Sequence, residues 1–331
     1  SYSVTGVQTC ALPISAAGRI VSANQCMVDS ACSYYISEYW EPDFRCQRIQ
    51  QQLDSMATNA TATQMKLLQK DIYNPHAAWL VPRLLATLNR QPLPPDSPEW
   101  YARELLQSWD YQQSAESIAS TLYEQIYRML FMKTFADEWD ADLFRRFMTI
   151  PRLNARLLDR ALARQDSSWL DDRRTPDPES RSDLFLAAFL AACDSLKANH
   201  GTDIGHWQGG DLHTVVGFHP FMVHPAIGRF FTVPEQAAAG GNYTINNATF
   251  LYNGSFRSFV GPCFRQVVDL STLDYQVVLF SGQSAHPFSR HHQDMFQLWQ
   301  RGELVTLSLD PARQNRSNWT LFRLSPNGRN L

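Results

Sequence analysis

The chain changes character once, at His200, and that switch constrains its fold more than any other feature. Before it, apolar residues recur every three or four positions; after it, Gly, His, Pro and aromatic residues replace the helix formers, and apolar residues alternate. The first pattern predicts a helix from Phe44, where Ile49 and Leu53 share a face opposite Arg48 and Gln51. It predicts others over 61–72, 75–88, 99–106, 114–136, 143–162 and 182–197. Ser97 followed by Pro98 marks a helix start, because the serine can cap the first turn and proline fits the first helical position. The polar run 171–178 reads as a solvated connector. The second pattern predicts strands over 212–218, 244–248, 265–270, 276–280 and 320–324, separated by turn signals such as Gly240-Gly241 and Asn253-Gly254. A short strand is also predicted over 18–24, before the helices begin. Strand, long helical block, then strands is an α+β order in which the first strand joins the last ones in one layer, with helices outside.

Composition narrows the function classes. The 331 residues carry 29 Lys plus Arg against 32 Asp plus Glu, a net charge of −3, which provides no basic field for nucleic acid. The longest uninterrupted apolar run, from Leu184 to Cys193, is about half of the roughly 20 residues a membrane span needs. The 44% hydrophobic content suits a soluble globular protein with a substantial core. Cysteines at 10, 26, 32, 46, 193 and 263 form neither a CxxC pair nor a disulfide framework. Residues 1–15 lack the layout of a secretory signal. Their SVTGVQTCALPI stretch resembles a translated sequencing adapter, so they read as a non-native leader, and the natural sequence is expected to start near Ala16 as a truncated piece.

Three chemical constellations can be tested in the sequence. Ser284, His286 and Asp294 are the ingredients of a hydrolytic triad, but no GxSxG elbow accompanies them, and triad members rarely converge from within a dozen positions. His286, His291, His292 and Asp294 are candidate metal ligands without HExxH or paired-cysteine spacing, which favours polar loop residues over a metal site. GxGxxG and the P-loop pattern are both absent.

Residues 282–303, GQSAHPFSRHHQDMFQLWQRGE, closely resemble the C-terminal signature of the penicillin acylase (penicillin amidase) family, and other blocks agree in order. Ser22-Ala23-Asn24 stands where that family has a TAN motif. Tyr34-Tyr35, then Trp40-Glu41-Pro42-Asp43-Phe44-Arg45 and Arg48-Ile49, resemble its Trp-containing turn and helix start. Gln69-Lys70-Asp71 followed by Ala77, Pro82 and Leu84-Leu85 resembles its QxD helix pair, and 106–110 with Tyr123 resembles its LLxxWD helix. The segments 207–213, 240–246 and 261–270 resemble WxxGxxH, GGDGxTVN and GPSxRxVVDL, with Cys263 replacing the serine and Ala285 replacing a glycine. The resemblance runs from about Gly18 to about Arg313.

The resemblance implies part of an αββα N-terminal-nucleophile hydrolase sandwich with a large helical insertion. Residues 16–43 would supply a sandwich strand and site loop, 44–199 the helical insertion, and 200–331 the β-rich C-terminal part. In that family a precursor cuts itself, and the new terminal serine of the catalytic subunit attacks a linear amide with its own α-amine as base. That serine lies well upstream of the TAN motif, so no nucleophile is expected in this chain, and neither Ser15 nor Ser22 has the right context. Asn24 is expected to donate to the oxyanion and Arg45 to position the site; the plainer readings are an Asx-turn at a strand end and a surface arginine. Arg48 reads as structural, as do Asp269, His286 and Trp299. No cofactor or metal is expected in this piece, although the complete protein admits calcium, for which only Asp29 stands near the altered loop after Asn24.

The implied partners are the N-terminal remainder of the precursor (the α subunit and the start of the β subunit) and a small N-acyl substrate. The resemblance points to a periplasmic or secreted enzyme whose export signal is not in this stretch. The piece alone is expected to be inactive, with an open sheet edge and an exposed apolar surface near Asn24. The rival reading is a non-catalytic structural or binding member of the same fold.

Overall fold

A computed structural model describes residues 18–28, 32–56, 60–150, 153–164, 167–308, 310 and 312. The leader 1–15, Asp29 and the strand expected over 320–324 lie outside the described residues.

The helical block opens with α1 (Phe44–Ser55), α2 (Ala62–Gln69), α3 (Pro75–Leu88), α4 (Pro98–Ser108) and α5 (Ile118–Phe135). It continues with α6 (Ala141–Phe147), α7 (Leu153–Arg164), the single turn α8 (Ser167–Leu170) and α9 (Arg181–His200). Side-chain caps fix most starts. Asn74, Ser97 and Ser117 each accept from a backbone N–H of the first turn, while Thr61 with Gln64 and Ser180 with Asp183 form reciprocal capping boxes. The helix expected over 143–162 is instead two, because Met148 closes α6 and a turn precedes α7.

The core forms around α5, in which every residue from Ala119 to Tyr127 is buried, as a helix enclosed on all sides requires. It packs against α9, whose Phe185, Ala188, Phe189, Ala192 and Cys193 are almost fully buried, with α3 and α4 completing the cluster.

Beyond His200 the described residues form the short helices α10 (Gly209–Leu212), α11 (Pro225–Phe231) and α12 (Phe296–Arg301), and two antiparallel sheets. One sheet pairs β1 (Thr214–Gly217) with β2 (Val233–Ala237), with a register irregularity between Val215 and Gly217. The other has the order β3 (Phe264–Asp269), β4 (Asp274–Leu279), β5 (Val305–Ser308). A smaller apolar cluster of Val215, Val233, Val278, Phe296 and Trp299 joins the β1/β2 hairpin to β4 and α12.

Two predicted strands are corrected. Residues 18–24 form no strand, since they find no ladder partner among the described residues, and Asn24 turns left-handed at φ 65°. Residues 244–248 are a loop held by isolated bridges, Gly241 to Asn247 and Thr249 to Val260, and by Thr244 bonding back to Gly241 and Asn246. Side-chain and local backbone bonds there satisfy the polar groups a ladder would otherwise serve.

Candidate active site

Asn24 and Arg45, 21 positions apart, are brought into contact. Asn24 adopts the left-handed conformation that asparagine tolerates better than most residues. Its backbone carbonyl accepts from the Glu41 N–H at 2.9 Å. Arg45, in the first turn of α1, aims its Nη2 at three acceptors: Asn24 Oδ1 at 2.7 Å, the Ala23 carbonyl at 2.9 Å and Glu41 Oε2 at 2.6 Å. Glu41 and Arg45 are both largely buried and lie four positions apart, so the ion pair fixes the guanidinium at the helix entrance. Gln25, itself buried, accepts from the Ala23 N–H through Oε1 and stiffens the same turn.

The arginine dictates how the Asn24 amide faces. A guanidinium only donates, so the atom beside it must be the amide oxygen. The Nδ2 hydrogens then point elsewhere and meet no acceptor among the described residues, while the side chain stands exposed to solvent. The arrangement is an oriented neutral N–H donor held by a buried charge.

The entrance to α1 is anchored from the helical block. Arg156 on α7 donates through Nη1 to the Trp40 carbonyl at 2.9 Å. One turn further, Asp159 accepts from His76 Nε2 at 2.8 Å and from the Tyr127 hydroxyl at 2.7 Å, and His76 Nδ1 meets the Tyr123 hydroxyl. The His76 ring stacks on Tyr243, and Phe44, the neighbour of Arg45, packs edge-on against both rings. Sequence reasoning missed Arg156 and Asp159, since partners 116 and 83 positions away leave no local pattern. Arg48 instead binds Asp71 Oδ2 at 2.7 Å and lies over the Tyr73 ring. Burial and the nearby Asp43 carboxylate push the Cys46 thiol up, which disfavours the thiolate.

The histidine-rich segment does not assemble a relay. The Ser284 hydroxyl accepts from the backbone N–H of His286, His286 Nδ1 accepts from the Phe288 N–H, and Asp294 pairs with His291 at 2.7 Å. His292 Nδ1 donates to the Ser284 carbonyl. No group of three or more His, Cys, Asp or Glu side chains able to hold a metal occurs among the described residues. Trp299 is buried with its indole N–H on the Pro262 carbonyl, and Asp269 caps the turn to Ser271. No helix among the described residues is long and apolar enough to cross a membrane.

The segment 18–43 exposes several large apolar side chains. Tyr34 and Tyr35 are 74% and 78% exposed, and Ile20, Met27 and Tyr39 are also open. A cleft of about 900 Å³ lies elsewhere, between the β1/β2 hairpin and β3/β4, and neither Asn24 nor Arg45 lines it.

Comparison with known proteins gives a consistent picture. A family profile described as penicillin amidase matches residues 11–316. A curated relative named acyl-homoserine lactone acylase QuiP, from Pseudomonas fluorescens, is 28% identical over 91% of this chain and 38% of its own length. The protein of the same name from Pseudomonas aeruginosa is 24% identical over 90% of this chain and 38% of its own. The chain thus spans about two fifths of the curated relatives it matches. Among solved structures, a thermostable penicillin G acylase from Alcaligenes faecalis superposes with a TM-score of 0.60 at 16% identity, covering 95% of this chain and 58% of that one. The fold is therefore the mixed α and β fold of that N-terminal-nucleophile hydrolase.

Proposed function

Because the chain belongs to the penicillin amidase family, we propose that it forms part of an amidohydrolase cleaving N-acyl amide bonds to a carboxylic acid and an amine. The names of the curated relatives favour N-acyl homoserine lactones over β-lactam side chains as the substrate class.

In this reading the nucleophile is the terminal serine of the catalytic subunit, supplied by the part of the precursor outside this chain. Its hydroxyl adds to the amide carbonyl while its α-amine takes the proton. The C–N bond then breaks, the amine leaves with that proton, and water hydrolyses the acyl ester. Asn24 Nδ2 donates to the oxyanion of the tetrahedral intermediate, and Arg45 positions Asn24 by holding Oδ1. A neutral donor fixed before the reaction stabilises developing charge without reorganising. The observation that carries the reading is the 2.7 Å bond from Arg45 to Asn24 Oδ1, which leaves the amide hydrogens unspent and exposed.

Periplasmic location and maturation from a precursor follow from the same family reading. The test is to express the complete protein and incubate it with N-acyl homoserine lactones of several chain lengths and with a phenylacetyl anilide. Release of free acid and amine is expected, with no turnover by the 331-residue chain alone. A matured complete protein that hydrolyses none of them would support the non-catalytic alternative.

A further inference from the structure

A cavity of about 20 Å³ lies where α5 meets the segments around His213 and Gly240. Gln113, Thr121 and Glu124 line it from the helical block, and His213, Gly240 and Phe250 from the part of the chain beyond His200. Backbone bonds stitch its rim: the Gly240 N–H donates to the Gln113 carbonyl at 2.8 Å, and the Ala238 N–H to the His213 carbonyl at 2.9 Å. Three of the lining residues each bury a polar atom that has no hydrogen-bond partner among the described residues. These atoms are Gln113 Oε1, Thr121 Oγ1 and His213 Nε2.

The neighbours fix what each atom needs. Gln113 donates through Nε2 to Glu124 Oε1 at 2.6 Å, so the unmet atom is its amide oxygen, an acceptor. His213 Nδ1 lies 2.8 Å from the Phe256 carbonyl, which only accepts, so Nδ1 carries the ring hydrogen. Burial pushes the imidazole down and keeps it neutral, which leaves Nε2 as a second acceptor. The Thr121 hydroxyl has one hydrogen to give and cannot serve both acceptors. Buried polar atoms left unpaired are costly, and nearly all of them find partners. A group that completes this set must offer two donors and one acceptor within a very small space. Water does so, since one molecule needs roughly 10–15 Å³ of such space and two to four polar partners. A cation suits the walls less well, because the Glu124 carboxylate already accepts from Gln113 and from the Tyr252 hydroxyl at 3.0 Å.

We infer that this cavity is a binding site for one buried water molecule, which donates to Gln113 Oε1 and His213 Nε2 and accepts from the Thr121 hydroxyl. The water is then a polar joint between α5, the end of α10 and the loop at Gly240. It also accounts for a polar stripe on the enclosed helix. Glu124 follows Ser120 and Thr121 by four and three positions, so all three share one face of α5 although every one of them is buried.

The test is a high-resolution crystal structure of the complete protein. One ordered oxygen is expected, with contacts of about 2.7–3.2 Å to Gln113 Oε1, His213 Nε2 and Thr121 Oγ1. Absence of density there, or an oxygen that reaches only one of the three, overturns the inference. Contacts of about 2.3–2.6 Å to several oxygens would mark a metal ion and overturn it as well. Thr121→Val provides a second readout, because it keeps the side-chain shape and removes only the hydroxyl. With water bound, the variant loses a hydrogen bond, and the melting temperature of the complete protein should fall by about 2–4 °C. A dry cavity predicts the opposite sign, since the substitution then removes an unpaired buried hydroxyl. An unchanged or raised melting temperature therefore contradicts the water site. Neither readout involves turnover, so both hold whether or not the protein is an acylase.

Discussion

Arg45 Nη2 stands 2.7 Å from Asn24 Oδ1 while also reaching Glu41 Oε2 at 2.6 Å, so one nitrogen ties a left-handed turn, a loop carboxylate and a helix entrance together. The bond works through geometry. A lysine would carry the charge, but as a rotatable point donor it cannot keep the planar aim of a guanidinium. In the complete protein, Arg45→Met is expected to lower kcat by roughly 10²-fold, the scale of a small misplacement of a reacting group, with KM changing much less. Arg45→Lys should recover part of it. Steady-state kinetics on an acyl amide decide the point; a parallel rise in KM with kcat intact would place Arg45 in substrate binding instead.

The clamp from α7 makes a separate prediction. Arg156 holds the Trp40 carbonyl, next to the Glu41 N–H that donates to Asn24. Arg156→Ala should speed hydrogen exchange at Glu41 while leaving the amides in the middle of α5 protected. Unchanged exchange at Glu41 would show that the loop holds itself.

These contacts explain what the sequence could and could not convey. Helix starts were readable because their causes are local: Ser97 caps α4 with Pro98 in its first turn, and the expected bounds of α3 coincide with those observed. β2 is absent from the sequence expectation; it carries Pro234, which an edge strand in a two-stranded sheet tolerates. The strand expected over 18–24 needs a partner that these residues do not find among the described ones. Asn24 and Arg45 were legible only through the family motif, since nothing at a spacing of 21 announces a contact. The setting of Arg265 is invisible in sequence, because the Trp299 carbonyl and ring that it meets lie 34 positions on.

Buried Glu124 should make stability depend on pH. Burial raises its carboxyl to about 7, against which hydrogen bonds from Gln113 at 2.6 Å and Tyr252 at 3.0 Å pull it down. The folded state holds this proton more tightly than the unfolded state, so the contribution is full below the usual glutamate value and is lost as pH rises through about 7. The loss amounts to about 3 kcal/mol. Denaturant titrations between pH 4 and pH 8 should show that decline, and Glu124→Gln should remove it. A variant with the same slope as the parent would mean that Glu124 stays ionised.

Adjacent residues on α9 should differ sharply in cost. Phe189 is fully buried in the main core, whereas Leu190 is 37% exposed. Phe189→Ala is expected to destabilise by about 3–5 kcal/mol through lost burial and a cavity, and Leu190→Ala by less than about 1 kcal/mol. Equal costs in chemical denaturation would contradict the packing of α9 on α5.

The most direct measurement is kcat for the Asn24→Ala variant of the complete, matured protein on an N-acyl homoserine lactone. Loss of one oxyanion donor should reduce kcat by roughly 10²- to 10³-fold with KM nearly unchanged and the fold intact by circular dichroism. Turnover within a few-fold of the parent would contradict the role assigned to Asn24, and with it the functional reading of the Arg45 contact.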